Sequence, residues 1–271
     1  MKKLIALVLM ATMVFSLAAC ATEGGDDATT TTPAATTTTK PATTTKKPPV
    51  DLPDDPTNED NWMEEMTELY IPYGTATVDG TKDDSWANAA TVTLDKVKKD
   101  SPAADTVVSA SVMWNEEGLF FLFEITDSDI HFGSEVGGYQ NDSIYLYVSE
   151  DHNAAISSFD EFGSGIYQFA LINKDLEMLP RKGADTTTNL NTESAYTMTD
   201  TGMIIEFRYK PVINPVAAGN YLLLDYQYND CGAANGGRKG GMGWYNGTDT
   251  NADTMLWAVV KLLGEGEKAP A

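Results

Sequence analysis

The sequence predicts an all-β protein, an antiparallel β-sandwich of the jelly-roll kind with one short N-terminal helix. Three observations carry this. About ten short runs rich in Val, Ile, Phe, Tyr and Thr are separated by Gly, Asn and Asp turns, the spacing of a sandwich rather than of alternating strands and helices. The stretch Val107–Glu150 holds three such runs, each with a side-chain period of two. Helical patterning is confined to one segment near the start of the folded part.

In the central stretch Val108, Ala110, Val112 and Trp114 alternate with small polar residues, and Asn115-Glu116-Glu117-Gly118 is a turn in which Gly118 is free to take positive φ. Leu119, Phe121, Phe123 and Ile125 share one face of the next run. Ile144, Leu146 and Val148 alternate with Tyr145 and Tyr147, which puts the aliphatics in the core and the tyrosines on the opposite face, as an aromatic ledge open to a flat, weakly polar ligand.

The chain begins with a basic Met1-Lys2-Lys3, then an apolar run from Leu4 to Phe15 that is short for a bilayer span. Leu17-Ala18-Ala19-Cys20 resembles the lipobox of bacterial lipoproteins, in which cleavage precedes the Cys and that Cys is acylated. Residues 1–19 are therefore read as a signal peptide and Cys20 as a lipid anchor that attaches without spanning. Residues 20–56 continue as threonine runs broken by Pro33, Pro41, Pro48 and Pro49, a composition that forms no core. In polyproline-II geometry roughly 30 residues reach ~90 Å, enough for a stalk. Residues 57–271 remain as one domain. Removing residues 1–19 takes Lys2 and Lys3 and no acid, leaving 16 basic against 40 acidic residues, a formal −24. That surface repels nucleic acid and anionic lipid and suits a neutral ligand or a cation.

Within the domain, Trp62, Met63, Met66, Leu69 and Tyr70 fall on one helical face, so a helix is expected over Thr57–Tyr70, capped by Thr57 with Asp60 three residues on. Gly74–Val78 reads as extended, Asp79-Gly80 as a turn, and Thr91–Asp95 as a strand. After the central runs, Gly165–Ile172 alternates Tyr167, Phe169 and Leu171 against Ile166, Gln168 and Ala170. Glu193–Thr199 and Thr201–Lys210 form a hairpin about Asp200-Thr201-Gly202, Gly219–Asn229 is a long strand, the glycine-rich Cys231–Gly243 is a loop, and Met255–Leu263 closes the domain. Trp86 and Trp114 read as core. With Cys20 acylated, Cys231 has no partner for a disulfide and reads as a packed small residue; His131 and His152 are the two histidines. No P-loop, dinucleotide fingerprint, zinc motif or nucleophile elbow occurs.

Several motifs, in order, resemble family 9 carbohydrate-binding modules. Val78-Asp79-Gly80, Asp83 and Trp86 resemble that family's opening I-D-G…D…W. Val112-Met113-Trp114-Asn115 with Leu119-Phe120, and Ile125-Thr126-Asp127, resemble its next strand pair. Tyr139-Gln140-Asn141-Asp142-Ser143-Ile144 resembles W-x-x-D-S-V, and Tyr226-Gln227-Tyr228-Asn229-Asp230 with Arg238 and Trp244 resembles Q-V-N-D…R…W. The resemblance implies a sandwich that binds ends of plant polysaccharides and small sugars between two aromatic rings, with structural calcium and no catalysis. Carried over, Trp244 and Tyr139 are the clamp, and Asn141, Asp142, Gln227, Asn229 and Arg238 are polar contacts. A family Glu falls at Tyr145 and a family Arg at Ala170, removing two charge-assisted contacts worth ~1.5–3 kcal/mol each, with Tyr145 left to stack. Asp79, Asp83 and Asp127 are the candidate oxygen ligands for calcium.

The expected function is that of a non-catalytic surface lipoprotein that captures a poly- or oligosaccharide at the extracellular face of a bacterial membrane. The alternatives are a glycoside hydrolase or accessory component of polysaccharide catabolism, which needs two carboxylates across a cleft, and a protein-binding adhesion module. A haem domain has Met113, Met198, Met203 and His131 to draw on but no attachment motif.

Overall fold

The computed structural model describes residues 63–98, 100, 102, 105–131, 140–171, 179–182, 191–232 and 237–270. All belong to the compact unit Lys46–Ala271. The segments read from sequence as signal peptide and stalk, together with Cys20, Thr57 and Tyr139, lie outside the described residues.

The strands are β1 (Thr67–Ile71), β2 (Ala90–Thr93), β3 (Lys96–Val97), β4 (Val107–Asn115), β5 (Gly118–Thr126), β6 (Ser143–Ser149), β7 (Ile166–Leu171), β8 (Leu179–Lys182), β9 (Thr192–Thr199), β10 (Gly202–Tyr209), β11 (Tyr221–Cys231), β12 (Arg238–Gly243) and β13 (Ala258–Leu262). They form a two-layer sandwich. The larger sheet runs β1-β13-β11-β6-β7-β8, with β12 on β11 and β3 on β12; the smaller runs β2-β4-β5-β10-β9.

The period of two decides which residues meet between the sheets. From the smaller sheet come Val108, Ala110, Val112, Trp114, Leu119, Phe121, Phe123 and Ile125; from the larger come Ile144, Leu146, Val148, Tyr167, Phe169, Leu224 and Tyr226. Tyr226 meets Phe121 and Phe123 edge-on, with centroids 6.3 and 5.7 Å apart. Each such side chain, fully buried, contributes ~1.5–3 kcal/mol. The β4–β5 hairpin closes with Asn115 opposite Gly118. Gly118 has φ 137°, and a Cβ there would lie 2.4 Å from the Tyr209 carbonyl oxygen, so the turn requires glycine.

Two expectations are corrected. Of the helix expected over Thr57–Tyr70, the described part is one helical turn at Met63–Glu65, followed by strand β1. The segment Thr67–Ile71 also alternates, and pairing parallel to β13 satisfies its backbone along an otherwise open sheet edge while burying Ile71. A helix there would leave β13 unpaired on that side. The glycine-rich segment Cys231–Gly243, expected as a loop, contributes strand β12, with Gln227 opposite Gly243 and Asn229 opposite Gly241. Composition misleads here because the backbone of β12 is paired on both sides, by β11 and by β3, and needs no side chain to hold it.

The outer face of the smaller sheet is covered by its own chain. Trp86, in a 3-10 turn at Asp84–Asn88, packs on Met113, Phe120 and Leu122. The buried Glu206 carboxylate accepts hydrogen bonds from Asp79 N, Gly80 N and Trp86 Nε1, each 2.8 Å. The motif Val78-Asp79-Gly80…Asp83…Trp86 is thus a cover strapped to β10.

Candidate functional site

On the larger sheet, the residues alternate to the core face already described and to an outer face. Along β11 the outward residues are Leu223, Asp225, Gln227 and Asn229; opposite them stand Tyr147 and Tyr145 on β6, and Gly243 and Gly241 on β12. Ala170 and Gln168 on β7 pair with Tyr145 and Tyr147.

One half of this face is filled by the protein itself. Tyr145 and Tyr147 stack at 6.3 Å and 14°, as the sequence predicts for one face, but they form no open ledge: they are 7 % and 1 % exposed. Trp257, Phe162, Ala154 and Ala252 close over Tyr147. The expected open aromatic ledge is therefore corrected to a packed minor core. The two departures from the family pattern, Tyr145 and Ala170, are cross-strand partners, and both are buried. A large and a small side chain thus fit together here without charge.

The other half is polar. Gln227 Nε2 donates to Asn229 Oδ1 at 2.7 Å, Asn229 Nδ2 donates to Ser143 Oγ at 3.0 Å, and Arg238 Nη1 donates to Asn229 Oδ1 at 3.3 Å. Arg238 also pairs with Asp249 at 3.2 Å. Gln227 is 3 % exposed, and its Oε1 has no hydrogen-bond partner among the described residues. A buried carbonyl oxygen left unmatched costs ~1–3 kcal/mol, so it marks a place where a donor belongs. Gln227, Asn229 and Arg238 are thus brought together as the sequence predicts.

The remaining predicted contacts are placed elsewhere. Trp244 is half-buried, with its ring on Tyr226 at 5.4 Å against the inter-sheet core; Gln227 points to the other face. Asn141 is buried just before β6, its carbonyl accepting from the Ser143 hydroxyl. Asp142 is corrected from a sugar contact to a member of a carboxylate cluster between the sheets. Its side chain accepts from the backbone N–H of His131 and of Cys231.

That cluster is Asp127, Asp142 and Asp230, whose carboxylate oxygens lie within 4.8 Å of one another, all buried. Asp127 leaves β5 of the smaller sheet, Asp142 enters β6, and Asp230 lies on β11, so the cluster joins both layers at one end of the sandwich. Burial above all, then the charges of Asp127 and Asp230, pushes the Asp142 carboxyl from 3.8 up to about 7. Tyr228 donates to Asp127 at 2.8 Å and Thr106 to Asp230 at 3.3 Å. Of the expected calcium ligands, Asp127 is in this cluster and Asp79 and Asp83 are not: Asp79 accepts from Thr81 N in its own turn, and Asp83 accepts from Ser85 N and caps the 3-10 turn. Oxygen-only donors gathered from both sheets fit a hard cation such as calcium.

Three further residues carry no sequence motif. The Asp225 carboxylate accepts from the N–H of Tyr226, Tyr245 and Asn246 at 2.8, 3.0 and 3.2 Å and pins the loop after β12. Burial pushes it up to about 6, opposed by the charge of Lys98. Lys98 is half-buried and donates to Asn251 Oδ1 at 2.7 Å; burial lowers its ammonium, with Asp225 and Asp249 opposing. Glu150, at the opposite end of β6 from Asp142, borders a cleft of about 350 Å³ with Met63, His152 and Asn220. Its carboxylate accepts from Tyr209 Oη and from the N–H groups of Val212, Ile213 and Asn214, so it is a loop anchor.

Residues 78–265 match the family described as carbohydrate family 9 binding domain-like. The exoglucanase XynX of Acetivibrio thermocellus is 31 % identical over 172 residues, which is 64 % of this chain and 15 % of that protein. The endo-1,4-beta-xylanase A of Thermoanaerobacterium saccharolyticum is 28 % identical over 172 residues, 64 % of this chain and 14 % of that protein. The chain thus spans a small part of the length of these relatives. Among solved structures, a family 9 carbohydrate-binding module from Caldicellulosiruptor kristjanssonii in complex with glucose superposes with a TM-score of 0.63 at 20 % identity, over 75 % of this chain and 99 % of that one. The same organism's module in complex with cellotriose gives 0.61 at 19 %, over 75 % of this chain and 98 % of that one. At these identities the likeness is one of fold.

Proposed function

The chain belongs to the carbohydrate family 9 binding domain-like family, and we propose that it is a non-catalytic carbohydrate-binding module whose ligand lies on the polar half of the larger sheet's outer face. The observation that carries the placement is the buried, unmatched Oε1 of Gln227 beside Asn229 and Arg238. A sugar hydroxyl, donor and acceptor at once, supplies what that oxygen lacks. Glucose and cellotriose in the two superposed modules, and the xylanase and exoglucanase names of the relatives, direct the ligand class to plant β-glycans.

Tyr139, next to the described Gln140, remains the candidate stacking ring. Asp127, Asp142 and Asp230 are the proposed calcium ligands, with a structural role, since they tie β5 to β6 and β11. The N-terminal segment supports display on a stalk anchored through Cys20 at the outer face of a bacterial membrane.

The test is calorimetry on the full-length protein with calcium, against xylobiose, cellobiose and their reduced alditols. Binding of the sugars with loss in Gln227→Ala is the expected result. Binding that survives Gln227→Ala and disappears in Trp244→Ala would place the ligand on the other side of β12. No heat with any sugar would remove the sugar-binding reading.

A further inference from the structure

The polar half of the outer face has a second wall that no motif announces. Gly243 stands opposite Lys96 in the β12–β3 pairing, so Lys98, two residues on, faces the same side as Gly243 and Gln227. A Cβ at Gly243 would lie 2.5 Å from Lys98 Cε and 3.3 Å from its Nζ. The lysine stem therefore lies across β12 where the strand carries no side chain. At Gly241 a Cβ would sit 3.7 Å from Asn229 Oδ1 and 3.9 Å from Arg238 Nη1, open contact distances. Gly241 thus floors a slot beside Gln227, Asn229 and Arg238, while the space over Gly243 is taken by the Lys98 stem and by the Asn246 carbonyl, 2.7 Å from the Gly243 Cβ position.

We propose that Lys98 is a specificity-determining contact of this slot, donating to a hydroxyl of a neutral pyranose whose adjacent hydroxyl donates to Gln227 Oε1. This rests on the sugar-binding reading above. Lys98 Nζ lies 3.3 Å from where a Gly243 Cβ would stand, and Gly243 is the residue directly opposite Gln227, where cross-strand Cβ positions are ~5 Å apart, so the ammonium and the amide suit neighbouring hydroxyls of one ring. An ammonium has three donors, and Lys98 spends one on Asn251. Tyr145 and Ala170 are buried and carry no charge, so the cationic donors of this face are Arg238 on β12 and Lys98, which reaches it from β3.

The charge balance selects the class of sugar. Lys98 and Arg238 are matched by Asp225 and Asp249, and the whole chain carries a formal −22. A uronate would enter a slot with no surplus positive charge on a strongly acidic protein.

The experiment is calorimetry of full-length wild type, Lys98→Met and Lys98→Arg with cellobiose, xylobiose, glucose and glucuronic acid, with melting curves of each variant. The expected result is that Lys98→Met weakens neutral-sugar binding roughly 10- to 100-fold, as for loss of a charge-assisted hydrogen bond, while Lys98→Arg recovers part of it and all three melt alike. Glucuronic acid binds no more tightly than glucose. Wild-type affinity in Lys98→Met, or tighter binding of glucuronic acid, overturns the inference and leaves the sugar-binding reading in place. A wild type that binds none of the sugars overturns both. If Lys98→Met melts early, Lys98→Gln, which keeps most of the stem and one polar end, carries the same prediction.

Discussion

Calcium should control the stability of this domain through Asp127, Asp142 and Asp230, and the pH dependence of its effect has a defined sign. Without a cation, Asp142 is buried among two other carboxylates, and its carboxyl is pushed from 3.8 to about 7. That rise corresponds to ~4 kcal/mol of bias against the ionised form. The folded carboxyl holds its proton more tightly than the unfolded one. Its contribution to stability is therefore complete below about pH 4 and is lost as pH rises through about 7. The cation-free protein should gain stability from this group on going from about pH 7.5 to about pH 5. A bound divalent ion competes with that proton and removes the repulsion, so calcium should stabilise more at the higher pH. At a hundredfold excess over its Kd, calcium adds about 2.7 kcal/mol. With a Tm shift of roughly 2–4 °C per kcal/mol for a domain of this size, melting should rise by roughly 5–11 °C at about pH 7.5. Calorimetric melting in chelator and in calcium, at both pH values, measures this. Asp230→Asn should abolish the calcium response. Asp225, pushed up to about 6, adds a pH trend of the same sign, but it lies on the outer face and its trend should persist in Asp230→Asn. Identical melting with and without calcium at about pH 7.5, or a full response retained in Asp230→Asn, would refute the assignment.

Two further predictions concern the frame that holds the site. Glu206→Ala leaves Asp79 N, Gly80 N and Trp86 Nε1 without their acceptor and should cost about 3–5 kcal/mol in denaturant unfolding, with Glu206→Gln costing less. Gly118→Ala forces a Cβ to 2.4 Å from the Tyr209 carbonyl at φ 137° and should destabilise by about 2 kcal/mol or more on the same measurement; an unchanged midpoint would mean that the hairpin rearranges freely.

Period-two alternation is enough to assign the core, because a strand with one buried face must keep its apolar residues on that face. The pattern alone places Val108 to Trp114, Leu119 to Ile125 and Ile144 to Val148, and turn chemistry places Gly118. Cys231 is buried, as expected of a packed small residue. Gln227, Asn229 and Arg238 are legible through the resemblance of their motif, and register brings them together on one face.

Other features depend on which chain ends and edges become neighbours, and this is set by packing rather than by local pattern. Thr67–Ile71 has both helical and strand spacing; the open edge of β13 decides for the strand. Alternation puts Tyr145 and Tyr147 opposite the aliphatics, but whether that face stays open is settled by Trp257 and Phe162, brought over it from distant loops. Asp142 joins Asp127 and Asp230 only because the two sheets close at one end, and Lys98 reaches the polar face only because β3 pairs with β12 and Gly243 leaves room for its stem. By itself the sequence determined the faces of the strands and the motif residues along β11, since both follow from spacing within the chain. The tertiary structure alone decided which of those faces is filled and which remains polar, because covering a face takes residues far apart in sequence.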